Sequence, residues 1–237
     1  MHFKILLMQT KPSVLRQHNL YFAGLLSVLL FSTFFLLLNG KAAAFISLNS
    51  YHPFLLNVFF INYTFMGDGI FALCLTAVLF FYYKRRQQGL AVLYSFLISG
   101  LIVQLIKNLV DSPRPRLFFE AGQYLHFIDG ISLANNSSFP SGHTATAFAI
   151  ATVMVLLMKD KSWQLLILIA AVLVGYSRIY LAQHFLLDVI IGAVTGSTSG
   201  ILAVYLATNV KGIKRSIKKM HRLSPNTASS PSAVQPV

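Results

Sequence analysis

The stretch Ser177–Asp188, SRIYLAQHFLLD, places an arginine, a histidine and an aspartate inside sequence that otherwise reads as lipid-soluble. His184 and Asp188 are four residues apart, so on a helix they share one face, one turn from each other. A carboxylate in that position can hold the imidazole's tautomer and stabilise its positive charge. Arg178 is a permanent cation whose planar fork suits a phosphate or a carboxylate. Ionisable groups are costly to bury in hydrocarbon. Such a trio is therefore either a functional site or a polar cluster tying two membrane helices together, and two further clusters decide between these.

Composition fixes the setting. The chain has 237 residues, 56% of them hydrophobic and 11% charged, against about 25% charged in a typical soluble domain. This is the composition of an integral membrane protein. One cysteine, Cys74, allows no intramolecular disulfide, no CxxC motif and no zinc-type cysteine cluster.

Hydropathy divides the chain into spans of about the length a helix needs to cross the bilayer core, roughly 20 residues. The first is Leu20–Leu38. Pro53–Tyr63 is shorter and reads as a re-entrant or interfacial segment, and the second crossing runs from Gly67 to Tyr83 with Asp68 as a helix-start carboxylate at its outer end. Leu90–Ile106 is the third span, Ala145–Met158 the fourth, Trp163–Leu181 the fifth and Phe185–Ala207 the sixth. A polar loop, residues 108–139, separates the third and fourth. The expected fold is thus an all-α, six-helix membrane bundle over residues 20–208. It is preceded by a cytoplasmic segment, 1–19, and followed by a tail, 209–237, that is first basic and then disordered.

The net charge of +13 would suit a nucleic-acid partner, but its distribution excludes one. Fourteen of the 19 Lys and Arg fall on one side of this topology: Lys4, Lys11, Arg16, Lys84–Arg86, Lys159, Lys161 and the six in 211–222. By the positive-inside rule that side is cytoplasmic, with both termini inside, and the basic tail is a juxtamembrane anchor for anionic lipid. Lys41, Lys107, Arg114, Arg116 and Arg178 lie on the other side.

The same outer side collects three polar clusters: Lys107–Arg116 (KNLVDSPRPR), Phe139–His143 (FPSGH) and Ser177–Asp188. Each part has a use if the ligand is a phosphate. Lys107, Arg114 and Arg178 can neutralise phosphoryl oxygens, whose transfer depends mainly on positioning and charge stabilisation. Ser141 and Gly142 fall where the fourth helix begins, so their amides and the Ser141 hydroxyl could cradle an anion. His184, oriented by Asp188, is a candidate nucleophile that would become a phosphohistidine. His143 is a candidate acid for the leaving group and base for water. His52, His126 and His221 lack such partners and read as interfacial. Metal binding does not fit the cationic surroundings, because metal sites use neutral His with Cys or carboxylate.

Lys107 followed after six residues by Arg114-Pro115, then Pro140-Ser141-Gly142-His143, then Ser177-Arg178 with His184 and Asp188 behind it resemble the tripartite signature of the type 2 phosphatidic acid phosphatase family. All three parts match in order and spacing, over roughly residues 65–205. The resemblance implies a six-helix membrane fold, an outward-facing site and a phosphatase needing no metal or other cofactor. It also settles what the residues alone leave open between the two histidines, with His184 as nucleophile, Asp188 as its partner and His143 as acid and base. Lys107, Arg114, Ser141, Gly142 and Arg178 would bind the phosphate. Arg116 is outside the signature.

The expected reaction is removal of the terminal phosphate from a lipid phosphate or diphosphate at the outer leaflet, in a bacterial inner membrane. Undecaprenyl diphosphate, phosphatidylglycerol phosphate, phosphatidate and lipid A are the candidate substrates. Loop 117–139 and segment 39–66 are expected to shape the entrance. Three rivals share the signature: a phosphotransferase handing the same phosphoryl group to another lipid, a vanadate-using haloperoxidase, and a non-catalytic lipid-phosphate binding or transport protein. The haloperoxidases are soluble, and an anion pocket alone would need neither both histidines nor Asp188.

Overall fold

The computed structural model describes residues 18–119 and 136–223, with side chains as far as residue 209. The segments 1–17 and 224–237, and most of the loop 117–139, lie outside the described residues, as does His126. Eight α-helices are described: α1 Asn19–Leu48, α2 Phe54–Tyr63, α3 Gly69–Ala77, α4 Arg86–Leu109, α5 Pro115–Phe118, α6 Gly142–Leu157, α7 Gln164–Tyr180 and α8 Leu186–Leu223. Among the described residues there is no strand.

α6 is the axis of the fold. Its sequence GHTATAFAIATVMVLL is apolar or small on every face, the pattern of a helix surrounded by protein. One core cluster joins it to α1, α7 and α8 through Tyr21, Phe148, Val155, Leu168 and Ala193. A second joins it to α3, α4 and α8 through Ala72, Val92, Ile150, Val153 and Ala203. The close partner is α8, which brings Gly192, Gly196 and Gly200 against the α6 backbone. A Cβ at Gly192 would stand 2.7 Å from the Ser141 carbonyl oxygen, and one at Gly200 2.7 Å from that of Ala149. Small residues at such spacing let two helix backbones approach closely in a bilayer, where dispersion rather than water drives helix association.

Around this centre the outer faces are greasy. Phe31 is 71% exposed, Leu37 76%, Leu55 78% and Phe81 81%, an apolar surface a water-soluble monomer does not present. Three helices are long and apolar enough to cross a membrane: α1, α4 and residues 186–209 of α8. α6 and α7 are apolar but only 16 and 17 residues long.

Two expectations are redrawn. The first apolar helix does not end at Leu38 but continues to Leu48 across a break at Gly40, whose φ of 73° and ψ of 173° only glycine adopts readily. The second is the junction between the short Pro53–Tyr63 segment and the Gly67–Tyr83 crossing: the two are continuous, Phe54–Gly67 followed by Gly69–Tyr82 with a bend of 61°, the geometry of a broken span or of the re-entrant segment expected. The bend is a 3₁₀ turn, Thr64–Gly67, ended by Asp68, which is extended and caps α3 by accepting the Ile70 amide at 2.8 Å. The capping role read for Asp68 at the start of the second span is therefore present. At the far end of α8 the helix runs through the basic residues to Leu223 without interruption.

Candidate active site

α7 ends by turning sharply. Ala182 takes a left-handed conformation, φ 52°, and the amides of Gln183 and His184 both donate to the Arg178 carbonyl, at 2.9 and 3.1 Å. A non-glycine residue there stores backbone strain, which tends to collect at functional sites. The turn swings His184 back over the end of α7, and α8 begins two residues later. His184 and Asp188 are both buried, at 2% and 3% exposure. His184 Nδ1 lies 3.4 Å from Asp188 Oδ2, which also accepts the Phe185 amide at 2.9 Å and the Ser138 hydroxyl. The carboxylate thereby claims the Nδ1 side of the ring and leaves Nε2 as the nucleophilic nitrogen. Burial pushes the His184 imidazole down to about 4, more than the hydrogen bond and charge of Asp188 raise it. At neutral pH it is uncharged and can act as a nucleophile.

The cations stand around this pair. Arg114 Nη1 donates to Gln183 Oε1 at 2.7 Å and its Nε to the Asn136 carbonyl at 3.1 Å. Lys107 Nζ donates to the Ser137 carbonyl at 2.6 Å, and Arg178 Nη1 to Thr64 Oγ1 at 2.6 Å. Arg178 is buried, and its Nε has no hydrogen-bond partner among the described residues. All these acceptors are neutral oxygens. Among the described residues, no carboxylate comes within ion-pair distance of Lys107, Arg114 or Arg178. Three positive charges thus converge with no carboxylate in contact, Asp188 acting on Lys107 and Arg114 and Asp68 on Arg178 only from farther off, an arrangement that suits a bound anion.

α6 presents the third cluster. Ser141 caps the helix, its Oγ accepting from the Thr144 amide at 3.4 Å and the Thr144 hydroxyl at 2.9 Å. Its own amide donates to the Asp188 carbonyl at 3.0 Å. Of the donors expected to cradle an anion here, the Ser141 amide is thus committed to α8; the hydroxyl hydrogen and the amides that follow it remain at the helix end. Gly142 begins α6, and His143 follows with its ring half-buried, Nε2 lying 3.7 Å from Asp68 Oδ2. Arg178, His184 and Arg114 are close enough to act on His143 electrostatically.

The structure therefore brings together all eight residues singled out in the sequence, and adds four that were not. Ser138, Gln183, Thr64 and Asp68 each touch one of them. Ser138 and Gln183 adjoin the signature segments and carry no charge, so nothing marked them out. Thr64 and Asp68 arrive through the bend after α2. Arg116 is exposed on the short helix α5. His52 packs on Tyr180 and bonds its carbonyl at 3.0 Å.

Comparison with known proteins shows the family. An undecaprenyl-diphosphatase of Sulfolobus acidocaldarius is 32% identical over 145 residues, 60% of this chain and 68% of that protein. Phosphatidylglycerophosphatase B of Bacillus subtilis is 30% identical over 181 residues, 70% of this chain and 79% of that one. The crystal structure of Aquifex aeolicus LpxE superposes with a TM-score of 0.62 at 30% identity, covering 70% of this chain and 94% of LpxE. The PAP2 superfamily profile matches residues 88–211, which contain all three polar segments. The chain is a helical membrane protein that belongs to the PAP2 superfamily.

Proposed function

We propose that the protein is a metal-independent phosphatase that removes the terminal phosphate of a lipid phosphate or diphosphate through a phosphohistidine on His184. The observation that carries this reading is the set of three cations, none in ion-pair contact with a described carboxylate, around a buried, neutral imidazole. Lys107, Arg114 and the unpaired Nε of Arg178 offer donors and charge to phosphoryl oxygens. His184 Nε2 attacks phosphorus as the bond to the leaving oxygen breaks, and His143 supplies that oxygen's proton. The phosphoryl group is then held on Nε2, with the imidazolium charge stabilised by Asp188 through Nδ1. Water attacks next, His143 accepts its proton, the P–N bond breaks, and phosphate leaves with both histidines restored.

The apolar exterior supports a substrate whose chain stays in the bilayer while its headgroup enters between α4, α6 and α8. The relatives' names make undecaprenyl diphosphate and phosphatidylglycerol phosphate the first candidates; a lipid A 1-phosphatase of Rhizobium etli, 27% identical, adds lipid A. The positive-inside distribution supports a site facing the periplasm in a six-span bundle with both termini cytoplasmic. The deciding test is phosphate release by the detergent-purified protein with chelator present, from these three lipids and phosphatidate, beside His184→Ala. Release that the substitution abolishes is expected. A wild-type protein that releases nothing until an acceptor lipid is added would be a phosphotransferase instead.

A further inference from the structure

The bend after α2 does more than break a span. Gly67 sits so close to α6 that a Cβ there would lie 2.7 Å from the His143 carbonyl oxygen and 2.9 Å from the His143 Cβ. Only a glycine lets the turn approach this far. Its neighbour Asp68 then reaches His143 Nε2 at 3.7 Å, an ion-pair distance. From the same turn Thr64 accepts Arg178 Nη1 at 2.6 Å. One short turn thus docks on two of the three polar segments, from a part of the chain that precedes the PAP2 match at residues 88–211.

The charges around His143 show what the carboxylate is for. Arg178 and His184 face it from α7 and the turn that follows, Arg114 from the loop before α5, and Asp68 from the bend. Of these four groups, only Asp68 is negative. A residue that must hold a proton amid cations, and give it up only as the leaving group departs, needs an opposing charge to hold it protonated.

We propose that Asp68 is a positioning residue for the proton donor. It holds His143 through Nε2, directs Nδ1 to the leaving oxygen and favours the protonated ring against the cations, forming a second carboxylate–imidazole pair that complements Asp188 and His184. The inference rests on the phosphatase reading above, because it presumes that a leaving group is protonated at His143. The 3.7 Å separation is long for a hydrogen bond, as acid–base contacts commonly are before substrate closes on them.

The test separates proton donation from folding. Asp68→Asn keeps the helix cap, since Asn caps as well as Asp, and removes the charge. Asp68→Glu keeps the charge. Single-turnover release of the leaving group is followed for phosphatidate, whose diacylglycerol would depart as a poor alkoxide without a proton, and for p-nitrophenyl phosphate, whose phenolate needs no proton. In Asp68→Asn the phosphatidate rate should fall by about 100-fold, the lower end of what an acid catalyst contributes. The p-nitrophenyl phosphate rate should change by less than about 3-fold, with thermal stability unchanged. The alkaline limb of the phosphatidate pH profile should move to lower pH, and Asp68→Glu should restore part of the rate. Equal losses on both substrates, or none on either, would overturn the role of Asp68 while leaving the phosphatase reading standing. A wild-type protein that releases phosphate from neither of these nor from undecaprenyl diphosphate, phosphatidylglycerol phosphate or lipid A would overturn the two together.

Discussion

Ser138 donates its hydroxyl to the same Asp188 oxygen that faces His184 Nδ1, so one carboxylate oxygen is shared among the Ser138 hydroxyl, the Phe185 amide and the imidazole. Ser138 is fully buried and hydrogen-bonds through its amide to the Ser112 carbonyl at 2.9 Å, which ties the FPSGH segment to the end of the Lys107 segment. Removing the hydroxyl leaves the carboxylate short of one charge-assisted bond, worth about 1.5–3 kcal/mol. Ser138→Ala should therefore lower kcat by roughly 10- to 100-fold while KM moves little. Steady-state kinetics on the best lipid substrate decide it, and a kcat within twofold of wild type would mean the third partner is dispensable.

Arg178 is fixed by Thr64 at one end of its guanidinium and, among the described residues, has no partner at Nε. A lysine has the charge but not the fork, and cannot satisfy Thr64 and a phosphoryl oxygen together. Arg178→Lys should reduce kcat/KM by at least about tenfold, the loss expected for one charge-assisted bond. Near-normal turnover would take Arg178 out of the phosphate site.

The depressed His184 value sets a sign for pH. Above about 6.5, the ordinary value, the ring is neutral both folded and unfolded, so this residue adds no pH dependence there. As pH falls from about 6.5 towards about 4, the unfolded chain takes up a proton that the folded protein refuses, and stability is lost. The melting temperature should drop between pH 7 and pH 5, and part of that drop should vanish in His184→Gln. An identical pH slope in the variant would show that the imidazole is already charged in the folded protein.

Gly196 faces the Ala145 carbonyl so closely that a methyl group would collide with backbone oxygen, which cannot step aside as a side chain could. Overpacking of this kind costs about 1–3 kcal/mol. Gly196→Ala should lower the detergent melting temperature and, by prising α8 from α6, reduce activity as well. Gly100, whose added Cβ meets nothing within 4 Å, is the control and should accept alanine with both quantities unchanged.

Orientation can be measured directly. A reporter fused after Met220, near the end of α8, should report a cytoplasmic location. A periplasmic signal would invert the topology and with it the leaflet on which the substrate is met.

The site was legible in the sequence because its chemistry needs charged and ionisable residues, which stand out against hydrocarbon. Lys107, Arg114, His143, Arg178, His184 and Asp188 are visible for that reason alone, and the i, i+4 spacing of the last two survives as their contact across the start of α8. The helical class and the rough bounds of α4, α6 and α7 follow from the length of their apolar runs. The bend did not, because TFMGD carries no proline and its glycine serves a close approach that only the partner helix reveals. Asp68 looked like a cap because it is one. A local reading had no means of showing that the same carboxylate also reaches an imidazole 75 positions away in the chain. The polar Asn39-Gly40-Lys41 marked the break after Leu38, but not that helix resumes beyond it as far as Leu48.

One buried contact bears on how the protein can be handled. The Tyr21 hydroxyl is bonded to Thr152 at 2.9 Å and its amide to Gln164 at 3.2 Å, so α1 is fastened to both α6 and α7 on the side away from the candidate site. A fragment trimmed to the recognised residues 88–211 would strip the partner from a fully buried threonine and uncover the apolar side of the axial helix. The smallest piece worth expressing, crystallising or grafting therefore starts before Tyr21.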